Sequence, residues 1–512
     1  MQERNEAKDA SVLVFGRFLA VMAQALIPFV IVRLLGKADV GAFSGLMLIY
    51  ATVSVLFTAG FPAAVLYYLA GRDLESRAAV SRRLFRQVVA LGFVVGLILY
   101  AVGLYGDDVL RTFGQWMTSG EANPDQQTDL SHLLWFSIFP IFDVCSRVFP
   151  NFLIAENDSR GAAVFGFLRA IGMTMGTLVP AAMGYGVPGI IAGLTVFAVL
   201  QAAYMYRVYR RKYRAAARVP CDVSVREMVK FAYPIGLTDI VSNLNAAVDR
   251  YTILFLMTAS AFAEYRCGAW QLPITFIAYS VGHVYMPRFV ELAKAGKGAE
   301  VIALWRTAIH KVSLIVVPVC VVFVVGSEEF VRLAFTDEYL AAVPIFRIYV
   351  IVTMTRVASY GAVILAAGKS IYLFRAAAFT LGSNLALTVP LALTLGFIGP
   401  ALGTALALIP TIAVYCWYIS KALEVPIGKT VPVMLWLKIV ALAGVSAGPA
   451  IAFKLLVVPH PLVGLVAYGV STAALFILLG RLTGLMSKAD LDFGLAWLKL
   501  KFLRLGPKES GT

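Results

Sequence analysis

Charge is what this 512-residue sequence most conspicuously lacks: only 14% of its residues are Asp, Glu, Lys or Arg, against 60% hydrophobic and a mean hydropathy of +0.81. A soluble domain is roughly half apolar and about a quarter charged, so water is excluded as the solvent for most of this chain. Acids are scarcer than bases, 29 against 44, which leaves a formal net charge of +15. A nucleic-acid binder would gather such a surplus on one face of a polar domain. Here the basic residues fall between apolar runs, so membrane topology accounts for them and no nucleic-acid partner is expected.

Cysteine and histidine are equally sparse. The five cysteines (Cys145, Cys221, Cys267, Cys320 and Cys416) stand singly without a CxxC pair, and the four histidines (His132, His283, His310 and His460) show no ligand spacing. Disulfides, metal sites and cofactors are therefore not expected. The two Gly-Lys-Ser/Thr triplets, Gly368-Lys369-Ser370 and Gly428-Lys429-Thr430, have Val363 and Leu423 where a P-loop needs its first glycine. No ATP site is visible, and no outward loop is long enough for a sizeable catalytic domain, so the chain does not read as an enzyme.

What is present is a series of apolar runs of about 20 residues, the length a spanning helix needs. The runs are apolar on every side, unlike the alternating strands of a barrel, and backbone groups in lipid then require helices. Spans fall near 11–35, 39–70, 87–105, 131–155, 161–183, 188–207, 228–257, 264–287, 309–326, 341–366, 373–396, 399–420, 431–455 and 462–480. They are called spans one to fourteen below. The second is overlong, and Gly60-Phe61-Pro62 is expected to kink or divide it.

The positive-inside rule tests that count, because every other loop should be basic. Arg72, Arg77, Arg82, Arg83 and Arg86 fill one such loop, and the longest carries Arg207, Arg210, Arg211, Lys212, Arg214, Arg218, Arg226 and Lys230. Intervening loops are short or acidic, as at Asp107, Asp108, Glu121, Asp125 and Asp129. Fourteen spans with both termini cytoplasmic satisfy every loop. The expected fold is an all-α polytopic membrane protein of about fourteen helices, with a cytoplasmic N-terminus over 1–10. Two pseudo-symmetric six-helix lobes, 11–210 and 228–420, flank a basic linker at 211–227, and an extra pair lies within 431–480. The tail, 481–512, spaces Leu491, Leu495, Leu498, Phe502 and Leu505 helically, as an interfacial helix or one packed on the protein's own cytoplasmic face.

A charged side chain inside a span costs on the order of 3 kcal/mol, so each should face protein or water. Those retained are Arg17 in span one, Asp143 and Arg147 in four, Arg169 in five, Asp239, Asp249 and Arg250 in seven, Glu264 and Arg266 in eight, and Arg347 and Arg356 in ten. Arg17, Arg169, Arg250 and Arg266 lie close enough to a membrane surface to snorkel. Asp143 and Arg147, four apart, can pair on one helix face. Arg356 has no acid within reach on its own helix. Arginine dominates this set, and its planar fork suits phosphate and carboxylate, so the set implies a wet cationic cavity for an anion.

Arg33-Leu34-Leu35-Gly36-Lys37-Ala38-Asp39-Val40-Gly41-Ala42-Phe43, Phe231-Ala232-Tyr233-Pro234 and Asn245-x-x-x-Asp249-Arg250 resemble motifs of the polysaccharide-transport family of lipid-linked oligosaccharide flippases. That family lies within the multidrug/oligosaccharidyl-lipid/polysaccharide exporter superfamily. The resemblance implies alternating access in a bacterial inner membrane, moving an undecaprenyl-pyrophosphate-linked oligosaccharide outward for O-antigen, lipopolysaccharide or exopolysaccharide biosynthesis. Substrate contact would fall to Arg17, Arg147, Arg250, Arg266 and Arg356, with Asp143, Asp239, Asp249, Glu264 and Arg347 as structural or coupling charges. Partners would be the lipid-linked oligosaccharide, membrane lipids and, where one docks on the basic loops, a glycan synthase or polymerase. A lipid II flippase or an ion-coupled multidrug antiporter of the same superfamily is the alternative, and a polysaccharide polymerase or ligase a distant one.

Overall fold

The computed structural model describes residues 22–117, 130–214, 216–217, 219–457 and 460–492. Among them there is no strand, and helix lies over every expected span, the first being represented by its apolar part Met22–Leu34. Among the described residues nine helical segments are long and apolar enough to cross a membrane, including one, Ser370–Leu423, that holds two antiparallel helices. The chain is thus an all-α polytopic membrane protein. The N-terminus, Arg17 and most of the amphipathic tail lie outside the described residues.

Two compact units appear, 1–263 and 264–512. In the first, span two divides where the overlong run suggested: Lys37–Thr58 ends, Gly60 takes φ +82°, and Phe61–Leu69 resumes with Pro62 in its first turn. That positive φ is open to glycine and strained for other residues. A Cβ on Gly60 would also strike the Ala232 carbonyl, and one on Gly41 would strike the carbonyl of Ala259. The approach at Gly60 docks helix Val225–Leu256 onto the second half of span two, with Phe231 stacked on Tyr67 at 4.3 Å; the same helix also packs on Lys37–Thr58, while Gly41 receives the start of helix Ala259–Gly268. Span seven, grouped by sequence with the second six-helix lobe, therefore packs within the first contact unit. A repeat boundary and a packing boundary need not coincide.

A core of the first unit gathers Val65, Leu84, Phe149, Phe152, Phe165 and Met228 from five helices. Beside it the segment after span six is folded back onto its neighbours. Arg72 bonds Asp222 at 2.7 Å, Arg83 Nη1 donates to the Val223 carbonyl at 2.6 Å, and Ser224 with Glu227 forms a capping box that starts span seven. Glu156, 2% exposed, receives Tyr213 Oη–H at 2.5 Å, Lys212 at 2.9 Å and Arg77 at 3.3 Å.

Three later spans, the eighth beginning at the end of the first unit and the tenth and thirteenth in the second, are interrupted where the sequence predicts continuous helices. Span eight is Ala259–Gly268 and Thr275–Lys294, separated by Ala269–Ile274. Span ten is Val343–Thr355 and Tyr360–Ala366, broken over Arg356–Ser359. Span thirteen breaks at Ala447, ahead of Gly448 and Pro449. Backbone groups freed by a break in lipid need partners: Trp436 Nε1–H donates to the Met354 carbonyl at 3.1 Å, while Ser359, in the break itself, ties it to span eight by donating Oγ–H to the Ala278 carbonyl at 3.2 Å. Spans thirteen and fourteen are fixed to helix Ser327–Phe335 by Glu329, which accepts from Lys454 at 2.8 Å and Tyr468 at 3.0 Å.

Two predictions arise from this packing. Gly41→Val forces helices apart and should lower the unfolding midpoint by the equivalent of about 1–3 kcal/mol or abolish the folded protein, whereas Gly36→Ala, with open space around it, should stay within about 0.5 kcal/mol. Thermal melts of the purified proteins in detergent decide this, and equal melting of the two variants contradicts it. The second concerns pH. Burial alone would raise the Glu156 carboxyl, but the bonds from Tyr213 and Lys212 and the nearby Arg77 charge more than offset it and leave it lowered. Its contribution is therefore fully present above the ordinary glutamate value of about 4.3 and is lost as pH falls through the lowered one. Hydrogen exchange over 213–224 should accelerate on acidification through that window in the wild type and already be fast at neutral pH in Glu156→Gln; identical exchange in both proteins contradicts this.

Candidate functional site

The clearest polar constellation within a span lies in the first unit, on the fourth. Span four is built of His132–Phe136 and Phe139–Ala155, the second started by Pro140 in its first turn, where a missing N–H costs nothing. One turn on, Asp143 points into the bundle with its side chain 1% exposed. An ionised carboxylate there is tolerable only with partners. It has three. Tyr50 of span two donates its hydroxyl to Oδ2, Arg147 Nε–H donates to the same oxygen at 3.2 Å, and Arg169 Nη2–H of span five reaches Oδ1 at 2.7 Å; Ser146 Oγ lies 3.1 Å from Oδ1 but is closer, at 2.7 Å, to the carbonyl of Asp143 itself. Arg169 Nε–H also donates to Ser146 Oγ at 2.8 Å, and the Arg147 guanidinium lies 4.8 Å from the centroid of the Tyr50 ring.

The charge count is the informative feature. One buried carboxylate faces two guanidinium groups, 29% and 21% exposed, so the cluster hides its anion and presents one uncompensated positive charge. Asp143 is thereby an unsuitable binding group for a cationic drug or ion, since its oxygens are occupied and buried. The exposed parts of the arginine forks can accept an anion.

The structure assembles some of the sequence-derived candidates and separates others. Asp143 and Arg147 pair as their four-residue spacing suggested, and Arg169, placed by sequence to snorkel, instead turns inward to the same carboxylate. Tyr50 and Ser146 were not singled out; they lie 93 and 3 residues from Asp143 in sequence, and only Ser146, one position from Arg147, lay near a residue already under attention. In the same unit Arg250 donates to the Ala246 carbonyl one turn back on its own helix, Asp249 is buried, and Asp239 is exposed, its carbonyl taking the Asn243 amide at 2.9 Å.

The remaining candidates belong to the second unit. Glu264 and Arg266 are half-buried in Ala259–Gly268. Arg347 Nε–H donates to the buried Ser327 hydroxyl at 2.7 Å. Arg356, expected mid-helix, is the capping residue where Val343–Thr355 ends; it is exposed and makes no ion pair among the described residues. A cation at a helix C-terminus is favoured by the unpaired carbonyls there, which helps explain how its charge is held without an acid. Among the described residues no three His, Cys, Asp or Glu side chains come together as metal ligands.

Comparison with known proteins gives the following. The sequence matches the family model for polysaccharide biosynthesis protein over residues 7–293, and that for lipid II flippase MurJ over residues 162–467. Among solved structures it is similar to the lipid II flippase MurJ in an inward closed conformation, with TM-score 0.65 and 15% identity, covering 92% of this chain and 98% of that one. It is also similar to an inward-facing multidrug resistance MATE family transporter of the MOP superfamily (TM-score 0.52, 15% identity, 79% and 95% covered). A mutant of the Vibrio cholerae MATE transporter VcmN gives TM-score 0.53 at 14% identity, with 82% and 97% covered. At these identities the structural likeness concerns the fold. Curated protein sequences give no match.

The Asp143 cluster makes an asymmetric prediction. Asp143→Ala leaves two guanidinium groups facing each other and should destabilise by about 3–5 kcal/mol, the usual cost of breaking a buried pair. Arg147→Gln or Arg169→Gln alone should cost clearly less, because the carboxylate keeps the other arginine. Melting midpoints in detergent measure the order; an Asp143 variant as stable as the wild type contradicts the cluster.

Proposed function

The chain belongs to the multidrug/oligosaccharidyl-lipid/polysaccharide exporter superfamily, within which it joins the polysaccharide biosynthesis protein and lipid II flippase MurJ families, and from that premise we propose that it flips an undecaprenyl-pyrophosphate-linked oligosaccharide from the cytoplasmic to the outer leaflet of the bacterial inner membrane. The observation that carries this reading is the surplus guanidinium charge around Asp143. A pyrophosphate is the anion such forks bind best, through paired charge-assisted hydrogen bonds. The protein's task is transport rather than bond-making, by alternating access between two lobes, with both termini in the cytoplasm.

Under this reading Arg147 and Arg169 meet the headgroup on the first lobe. Arg250, Arg266 and Arg356 are further contacts along its path, as is Arg17. Asp143 holds the two arginines in place, while Asp239, Asp249, Glu264 and Arg347 serve structure or coupling. A polyprenyl tail stays in lipid, since burying its many methylenes in a polar cavity would forfeit about 0.8 kcal/mol for each one. A second reading, translocation of lipid II, is favoured by the MurJ model's match across 162–467 and uses the same pyrophosphate chemistry.

Deleting the gene from its host separates these readings. Loss of surface polysaccharide with accumulation of its lipid-linked precursor supports the first, arrest of peptidoglycan assembly supports the second, and an unchanged envelope contradicts both. In the same host, Arg356→Ala should lower surface polysaccharide about tenfold, the equivalent of 1.4 kcal/mol, with Arg356→Lys intermediate and protein levels normal. Wild-type output from both variants removes Arg356 from the path.

A further inference from the structure

A separate cationic feature lies at the paired ends of spans eleven and twelve, away from the Asp143 cluster. Helices Ser370–Leu395 and Gly399–Leu423 form a tight antiparallel hairpin: a Cβ on Gly403 would strike the Thr388 backbone, and Thr388 and Thr404 both donate to Asn384 Oδ1, at 2.7 and 3.3 Å. At the open end of this hairpin aromatic rings meet across the two helices. Tyr372 stacks on Tyr418 with centroids 4.9 Å apart, and Trp417 packs against Tyr418 at 4.8 Å. Over that platform sits Lys421, its Nζ 5.6 Å from the Trp417 centroid and 5.9 Å from that of Tyr372.

Lys369 and Arg375 lie at the same end, on the first one and a half turns of the partner helix. All three cations are exposed, as is Trp417, and none forms an ion pair among the described residues. The nearest acid in sequence, Glu424, is three residues past Lys421, beyond the helix end in the left-handed conformation, and is likewise unpaired. Ring faces attract an ammonium without neutralising it. Three positive charges thus lie beside a rigid aromatic surface, and none is ion-paired among the described residues.

We propose that this hairpin end is a binding site for the phosphodiester headgroup of an anionic phospholipid of the cytoplasmic leaflet. The leaflet follows from the orientation proposed above, in which the ends at Lys369 and Leu423 face the cytoplasm. Basic clusters at that depth attract anionic headgroups, and amphipathic rings settle at the headgroup level. Lys369, Arg375 and Lys421 contact the phosphate, while Trp417 and Tyr372 lie along the glycerol and upper acyl chain. The stacked rings hold Lys421 in position before the lipid arrives, so little side-chain order has to be created on binding.

Native mass spectrometry of the full-length protein, released from detergent with phosphatidylglycerol or phosphatidylcholine added, tests this. Wild type should retain phosphatidylglycerol in preference, and the Lys369→Gln, Arg375→Gln, Lys421→Gln triple variant should lose that preference about tenfold or more while eluting and melting as wild type. Should the triple variant fail to fold, Lys421→Gln alone must show a smaller loss in the same direction. Trp417→Ala should also weaken retention and Trp417→Tyr preserve it. Unchanged preference in the charge variants overturns the proposal. So does displacement of the lipid by millimolar inorganic phosphate, since the occupant would then be a free anion. Flipping need not change in either case, so this result stands apart from the functional reading.

Discussion

A carboxylate that cannot reach water organises the first half of this protein. Asp143 is placed by helix Phe139–Ala155, with Pro140 in its first turn, and its burial makes partners obligatory. Three helices besides its own contribute to that environment or enclose it: span two through Tyr50, span five through Arg169, and span six, which packs against both spans four and five. Because the carboxylate needs only one guanidinium for neutrality and holds two, the same interaction that fixes the helices leaves a positive charge for use elsewhere. Stability and anion attraction are tied together at one residue.

The motif residues shared with polysaccharide-transport proteins explain themselves as packing before chemistry. Gly41 lets the Ala259 carbonyl approach span two, and Phe231 and Ala232 meet span two from span seven, Ala232 at Gly60, the left-handed residue between its two pieces. Few residues are small enough to stand at such close backbone approaches.

How much could be read in the sequence depended on how far apart the partners lie. Apolar length and alternating basic loops gave the helices, and Gly-Phe-Pro gave the break in span two, because both are local properties of the chain. The Asp143–Arg147 pair was legible for the same reason, being one turn apart. Arg169 and Tyr50 were not, since 26 and 93 residues separate them from Asp143 and no periodicity links them. The interruption at Arg356–Ser359 has no glycine or proline to announce it; Trp436 satisfies the freed Met354 carbonyl there, and Ser359 bonds the Ala278 carbonyl of a neighbouring helix. Sequence therefore names the charges that fall within apolar runs, while their neighbours in the fold decide which are neutralised, which are shared and which are left exposed.

The central claim is that the surplus arginine charge held by Asp143 receives a pyrophosphate. Its most direct test is equilibrium binding of undecaprenyl pyrophosphate to the purified protein and to the Arg147→Gln, Arg169→Gln double variant, with melting measured on the same samples. Loss of the forks should weaken binding by about tenfold to a hundredfold, the range for hydrogen bonds to a charged group. A double variant that folds as the wild type and binds the carrier equally well would contradict the account.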